Sequence, residues 1–489
     1  MNGLVPAGGT PLLIDGRLVA GGMGTFATIN PATEEVLGEA ANASAEDLDA
    51  AIGAARTAFD TTDWSRDHAF RAHCLRQLRD AMRENIEDLR AITIAEAGAP
   101  VMLTSGPQLE GPVGDLSFAA DLAENYSWRT DLGDAKQMGI ASHRVLRREA
   151  VGVVGAITPW NFPHQINLAK LGPALAAGNT VVLKPAPDTP WCAAALASLI
   201  VEHTDIPAGV LNIVTSDDHE LGARLVADPR VDMITFTGST RTGRSVMVGA
   251  SATLKRTFLE LGGKSAAIVL DDADIGAAVG YTAFSVAVHA GQGCALTTRM
   301  LVPRAAYDEA VSLAARTLGS IRAGDPTDPG TVCGPLISAR QRERVERYVD
   351  IARAEGGRIV VGGGRPAGRE CGYFVEPTLI ADVPNTATVA QEEIFGPVLV
   401  VVPHDGDADA VRLANESPYG LSGAVWGTDA ERIEQVVSGV RTGTLSVNGG
   451  LWYHADAPFG GYKQSGIGRE MGVAGFEEYL ETKLIATPA

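Results

Sequence analysis

Val153-Val154-Gly155-Ala156-Ile157 and Thr180-Val181-Val182-Leu183-Lys184 are two short apolar runs of strand character, and residues 165–176 between them have a helical pattern that stops at Gly178. Strand, helix and strand at this spacing form the crossover unit of a parallel sheet. The alternation continues downstream, with strands at 210–214 and 233–237 and helices at 193–203 and 220–227, and it runs into Gly238-Ser239. The expected fold is α/β, built on a doubly wound parallel sheet.

Working outward, the N-terminal side begins with short strands around Leu12-Leu13-Ile14 and Phe26-Ala27-Thr28-Ile29. Leu48, Ile52, Ala55 and Phe59 then recur at helical spacing after Ser44. Further helices are expected at 70–84 and 86–97, the last ended by Gly98 and Pro100. Residues 132–136 and 142–154 read as two extended segments turning near Gly139. The second is basic, with His143, Arg144, Arg147 and Arg148. A hairpin with no evident core partner suggests an arm that pairs with another subunit.

A second alternation occupies residues 259–445. Strands are expected at 265–270, 300–303, 358–362, 398–402, 423–426 and 443–447, and helices at 305–318, 338–355, 407–417 and 429–437. Residues 482–487 form a strand-like tail suited to pair with the arm. The expected organisation is a cofactor domain from 1–129 and 151–258, a catalytic domain from 259–455, and an oligomerisation arm and tail from 130–150 and 456–489.

The net charge of −19 disfavours nucleic acid and anionic membrane surfaces, both of which call for a basic face. Hydrophobic content of 45% and charged content of 20% are those of a soluble globular chain, long enough at 489 residues for two or three domains. The five cysteines, Cys74, Cys192, Cys294, Cys333 and Cys371, are odd in number and lie in no CxxC or metal-ligand spacing, so free thiols and a reducing compartment are expected, with no metal. The N-terminus lacks the basic-then-apolar pattern of a signal peptide, and no apolar run reaches the ~18–20 residues of a membrane span. Cytoplasmic placement follows as the expectation.

Cys294 lies in Ala290-Gly291-Gln292-Gly293-Cys294-Ala295, where small neighbours let a substrate approach a nucleophilic thiolate. Taken alone it reads equally as a buried small hydrophobe, the usual fate of a free cysteine and the reading preferred for the other four. Glu260 lies 34 residues earlier, between Thr257-Phe258-Leu259 and Leu261-Gly262-Gly263. Apolar neighbours raise a carboxyl's pKa and suit it to take a proton from water; without Cys294 it would read as a strand-end glutamate. Asn161, in Thr158-Pro159-Trp160-Asn161-Phe162-Pro163, is either an oxyanion donor or a turn residue. Gly238-Ser239 opens a helix whose first amides favour a phosphate.

Read together, Pro159-Trp160-Asn161, Lys184-Pro185, Phe236-Thr237-Gly238-Ser239, Glu260-Leu261-Gly262-Gly263-Lys264, Gly291-Gln292-Gly293-Cys294, Glu393-Ile394-Phe395-Gly396-Pro397 and Pro458-Phe459-Gly460-Gly461 resemble the hydrolytic type of the NAD(P)-dependent aldehyde dehydrogenase superfamily. Their order and spacing fit from residue 10 to the end. The resemblance implies a Rossmann-like cofactor domain, an α/β catalytic domain and a small β oligomerisation arm. It implies that Cys294 captures the aldehyde, that Asn161 and the Cys294 amide hold the oxyanion, and that Glu260 activates water. Lys170 and Glu470 match a pair near the family's proton exit. The cofactor, NAD with NADP as the alternative, would be held by Ile157, Thr158, Pro159, Trp160, Lys184, Ala186, Pro187, Gly222, Phe236, Thr237, Gly238, Ser239, Leu261, Gly262, Glu393 and Phe395.

Three departures matter. Pro187 stands where the family often has a ribose-binding glutamate, which removes one support for NAD. Thr215-Ser216-Asp217-Asp218-His219 replaces a glycine-bearing stretch, and its acids should repel a 2′-phosphate. Ala169 should widen the substrate tunnel, whose expected lining is Phe162, Ile166, Ala169, Leu451, Trp452, Tyr453 and Phe459. That lining is aromatic and largely uncharged, so an aromatic, terpenoid or medium-chain aliphatic aldehyde is expected, with a homodimer or homotetramer as the assembly. A CoA-acylating relative, a γ-glutamyl phosphate reductase-like enzyme or an idle binding protein would each be expected to lack Glu260 or Cys294.

Overall fold

The computed structural model of the protein describes residues 9–489 as two large sheets, a β-arm and a small hairpin. The strands Val153–Ile157 and Thr180–Lys184 are parallel neighbours, paired from Val153↔Thr180 to Ile157↔Lys184. Nearly every residue of both is buried, because helices cover both faces, and this accounts for their unbroken apolar composition. The crossover helix Pro163–Ala177 has proline in its first turn, where no N–H is needed, and Gly178 ends it in the left-handed region at φ 94°.

Across the first sheet the order is Gly466–Ile467, Arg256–Glu260, Met233–Thr237, Val153–Ile157, Thr180–Lys184, Leu211–Ile213, Leu12–Ile14 and Arg17–Val19. The run from Arg256–Glu260 to Leu211–Ile213 is parallel, and the flanking strands are antiparallel. The second sheet runs Arg358–Val361, Thr378–Ala381, Val398–His404, Arg299–Pro303, Ala266–Val269, Gly423–Trp426 and Ser446–Val447, parallel except at the Arg358–Val361 edge.

The break expected between residues 258 and 259 falls inside the strand Arg256–Glu260, which pairs with Met233–Thr237 along its whole length. Leu259 and Glu260 therefore belong to the first sheet, and the crossing to the second follows Glu260. The expected arm segment 456–489 is also shorter in the structure. Only Leu480–Pro488 joins the arm, antiparallel to Ile140–Ala150, which pairs in turn with Arg129–Gln137. The preceding residues return to the first sheet, because Gly466, at φ 141°, brings its backbone against the Leu259 carbonyl, where a Cβ would sit 2.0 Å away. Elements outside the sequence reading include the strand Thr378–Ala381, shorter pieces such as Val36–Ala41 and Gly472–Glu477, and the helices Ile275–Ala287 and Glu110–Asn125. Gly111, Pro112 and Gly114 hide the helical period of the last.

Asn179, fully buried after the crossover helix, joins three elements. Its Oδ1 accepts from the Gly152 N–H at 2.9 Å, and its Nδ2 donates to the Ala174 and Tyr479 carbonyls at 3.1 Å each. Asn179→Ala leaves the Gly152 N–H buried without a partner, at about 1–3 kcal/mol, and removes one bond each from the Ala174 and Tyr479 carbonyls, which keep the Asn179 and Val151 N–H groups as donors. The expected outcome is a clear fall in the thermal unfolding midpoint followed by circular dichroism, whereas an unchanged midpoint would show that these bonds contribute nothing net.

Candidate active site

Four adjacent parallel strands of the first sheet end along one edge, at Glu260, Thr237, Ile157 and Lys184. The carboxyl ends of such strands are where open α/β sheets present their ligands. The second sheet meets this edge with its opposite ends: Cys294 and Phe395 lie in the segments that lead into Arg299–Pro303 and Val398–His404. Backbone contact across the junction is close. A Cβ on Gly263 would lie 2.9 Å from the Cys294 carbonyl oxygen, and the Gly263 N–H donates to Glu393 Oε1 at 3.0 Å.

The nucleophile loop is held in an unusual backbone form. His289, Ala290 and Gly291 all have positive φ, at 49°, 52° and 72°. Such conformations persist only where the surroundings hold them. The Gln292 side chain supplies much of that hold: its Nε2 donates to the carbonyls of His289 and Pro335 at 3.1 and 3.2 Å, and its Oε1 accepts from the Ile337 N–H at 2.9 Å. The Gln292 carbonyl accepts from Asn161 Nδ2 at 2.8 Å. The Asn161 carbonyl accepts from Gln108 Nε2 at 2.9 Å and from His289 Nε2 at 2.8 Å, so the amide predicted as an oxyanion donor is fixed from both ends beside the cysteine loop. One of its two Nδ2 hydrogens serves Gln292, which leaves the other for a ligand.

Cys294 is partly exposed, while the remaining thiols other than Cys371 are buried. Burial pushes the Cys294 thiol up, and the negative charges of Glu260, Glu393 and Glu470 add to the rise. Glu260 is 3% exposed and neither carboxylate oxygen has a hydrogen-bond partner. Its carboxyl is held well above the usual range, first by burial and then by Glu470, with Lys170 and Arg469 opposing. Lys170 and Glu470 form a buried pair at 3.0 Å, and Lys170 Nζ also donates to Thr235 Oγ1 at 3.1 Å. Cys294, Glu260, Lys170 and Glu470 thus lie close enough to act on one another's charge, and Asn161 is bonded to the loop that carries Cys294.

The edge also fits a dinucleotide. Lys184 Nζ is buried with a single long contact, to the Ser216 carbonyl at 3.5 Å, and Thr237 Oγ1 is buried with none. Burial lowers Lys184 to about 8, against the opposing charges of Asp218 and Asp217. Gly222 faces Lys184 and Ile157, with room for a Cβ at 3.8 Å and little more. Ser239 caps the helix Thr240–Ala250 through the Thr242 N–H, and Gly238 donates to the Glu260 carbonyl at 3.0 Å. Trp160 and Phe395 meet edge to face at 5.4 Å, and Gly262 lies against the Glu393 carboxylate. Phe236, Leu261, Thr158, Pro159, Ala186 and Pro187 occupy the strand ends and turns of the same edge.

The aldehyde dehydrogenase family model matches residues 19–485. The chain belongs to the aldehyde dehydrogenase family. It is 42% identical over 461 residues to 3-succinoylsemialdehyde-pyridine dehydrogenase of a Pseudomonas species, covering 94% of each chain. It is 40% identical over 460 residues to geranial dehydrogenase of Castellaniella defragrans, again covering 94% of each. The NAD+ complex of a Mycobacterium tuberculosis aldehyde dehydrogenase is 41% identical, with a TM-score of 0.94 and 98% of each chain covered.

In this aldehyde dehydrogenase a cavity opens between the helices Glu110–Asn125 and Pro163–Ala177 and the loop bearing Tyr453. Of the seven residues expected to line the tunnel, Ala169 and Tyr453 form its wall. Phe162 packs edge to face on His289 at 5.3 Å, Ile166 is buried, and Trp452 stacks on Phe459 at 5.2 Å. Leu451 faces solvent at 87% exposure. Asp115, which is not among the seven, adds one acidic group to this largely apolar wall, beside Gln165. The sequence carries its signal: Asp115 shares a helical stripe with Pro112, Leu116, Ala119 and Leu122. Lys264, buried and without a hydrogen-bond partner, is lowered to about 7 by burial and by the charge of Arg299, partly offset by Glu393.

Gly291→Ala places a Cβ 2.1 Å from the Gly396 carbonyl at a positive φ. It should abolish reaction of Cys294 with a small thiol reagent at the wild-type rate, and it should lower the melting temperature. A wild-type alkylation rate would show that the loop tolerates the change.

Proposed function

We propose that this chain oxidises an aldehyde to the carboxylic acid, with NAD as the hydride acceptor. Glu260 carries the reading: a buried carboxyl with no partner on either oxygen, close enough to Cys294 to raise its pKa, is poised to accept a proton from water. The Cys294 thiolate attacks the carbonyl carbon and a carbon–sulfur bond forms. The Asn161 amide and the Cys294 backbone N–H hold the oxygen that becomes negative. Bound NAD supplies the acceptor for the hydride released when this intermediate collapses to a thioester on Cys294. Glu260 then takes a proton from water, whose oxygen attacks the thioester, and the acid leaves as the thiolate is restored. The buried Lys170–Glu470 pair provides an onward acceptor for that proton.

For the cofactor, Lys184 would hold the adenosine ribose at the strand edge, and Asp217 and Asp218 would disfavour a 2′-phosphate there; this supports NAD over NADP. The first sheet acts as the cofactor unit and the second presents the nucleophile. The arm Arg129–Gln137, Ile140–Ala150 and Leu480–Pro488 is the surface for a homodimer or homotetramer, and Leu132, Ile140 and Leu484 are exposed on it. No helix among the described residues is long and apolar enough to cross a membrane, and the unpaired thiols fit a reducing cytoplasm. The apolar cavity wall, together with relatives named for geranial and for a pyridine semialdehyde, supports a substrate with an apolar body of aromatic, terpenoid or medium-chain type.

Glu260→Gln should still give one equivalent of reduced cofactor per Cys294, then turn over about 10²–10⁴-fold more slowly, with the acyl group detectable on Cys294 by mass spectrometry. Cys294→Ala should give neither. Burst and steady state both unchanged in Glu260→Gln would remove Glu260 from the mechanism.

Both Glu260 and Cys294 are shifted upward, so their reactive, deprotonated forms are lost as pH falls through the raised pKa values. The steady-state rate should climb from neutral into alkaline pH, and a flat profile would contradict the assignment. Medium-chain and aromatic aldehydes should show higher kcat/KM than succinic semialdehyde, and the reverse order would overturn the apolar substrate class.

A further inference from the structure

The cavity beside the catalytic pocket is apolar but for a small group at one wall. The helices Glu110–Asn125 and Pro163–Ala177 pack tightly at Gly172, where an added Cβ would lie 3.4 Å from Ala119 and Leu116. Toward the start of the second helix the gap opens, because Ala169 offers only a methyl and Gln165 turns to the Tyr453 phenol, with which it hydrogen-bonds. Asp115 projects from the first helix into this gap. It makes no hydrogen bond among the described residues. The charged group that acts on it is His454, which stands in solvent and is paired at 2.6 Å with Asp456. Burial raises the Asp115 carboxyl to about 6, so it is still largely ionised at neutral pH.

A carboxylate set in an apolar wall, with its neighbours satisfied elsewhere, lacks a counter-charge, and such groups are ordinarily paired. Asn161 lies four residues before Gln165 and eight before Ala169. Gln165 and Ala169 stand in the first two turns of the helix Pro163–Ala177, which starts two residues after Asn161, so the cavity wall begins within about 9 Å of rise from the helix start next to the Asn161 turn.

We propose that Asp115 is a specificity-determining residue that receives a cationic nitrogen at the far end of the aldehyde, so that the preferred substrate joins an apolar chain to a terminal ammonium group. This rests on the dehydrogenase reading and refines its substrate class. The apolar wall at Leu116 and Ala169 holds the chain, and Asp115 supplies the charge its end requires.

The test compares 4-(trimethylammonio)butanal with its neutral isostere 5,5-dimethylhexanal, which has the same shape without the charge. With the wild type and NAD, kcat/KM should favour the cation by about tenfold, the scale of one partly buried charge pair. Asp115→Asn should bring the two values together, and Asp115→Glu should keep the cation preferred. A wild type that oxidises both aldehydes equally, or an Asp115→Asn variant that keeps the preference, would overturn the assignment of Asp115 and leave the dehydrogenase reading standing. A wild type that oxidises neither, nor any simple aldehyde, would overturn the dehydrogenase reading itself.

Discussion

Asn161 joins the first sheet to the cysteine loop of the second: its Nδ2 donates to the Gln292 carbonyl, and its own carbonyl accepts from His289 Nε2. Asn161 follows the strand Val153–Ile157, and Gln292 precedes Cys294 by two residues. The bond sets an amide of one sheet against the loop that carries the nucleophile on the other. Gly263, which follows Glu260 out of the first sheet, adds a further bond to Glu393, while Gly291 against Gly396 fixes the nucleophile loop within the second sheet's own segments. Three consecutive residues in the left-handed region can be held before Cys294 because Gln292, Asn161 and Gln108 close around them. Preorganisation of this kind keeps reacting groups in place without rearrangement during the chemistry.

The same junction accommodates groups that an inert core would exclude. Glu260 and Lys264 are buried without hydrogen-bond partners, only four residues apart. Burying such groups opposes folding, and the tightly packed sheets on either side offset it. Glu96 provides the contrast. It is equally buried, but it accepts from the Trp191 and Cys192 amides at 2.7 and 2.9 Å and so caps the helix Pro190–His203. The difference between a structural carboxylate and one available for chemistry lies in whether the protein satisfies its oxygens.

Much of this was legible in the sequence because it is local. The strands Val153–Ile157, Thr180–Lys184 and Met233–Thr237 show their period within a few residues, whereas Cys294 and Glu260, ambiguous one by one, stand out only when read together with the other motifs. The strand Thr378–Ala381 is only four residues long, too short to show a period of its own even with Pro377 before it and Asp382 and Pro384 after it. Asp115 was missed for a different reason. Its stripe on Glu110–Asn125 is readable, but that this stripe faces Ala169 and Tyr453 depends on how two helices far apart in the chain close on Gly172. Leu451 and Trp452 are adjacent in sequence, yet one faces solvent and the other stacks on Phe459, a distinction set by the loop's path and not by residue type.

Tyr479 stands where the segment returning past Glu260 becomes the last strand of the arm. Its carbonyl is held by Asn179, and its hydroxyl meets Thr235 Oγ1, the same oxygen that receives Lys170. The outer strand Leu480–Pro488 is therefore tied, through the two polar atoms of one residue, to the cation that faces Glu470. One residue thus serves both the root of the arm and the surroundings of the Lys170–Glu470 pair, so a change at Tyr479 alters both at once.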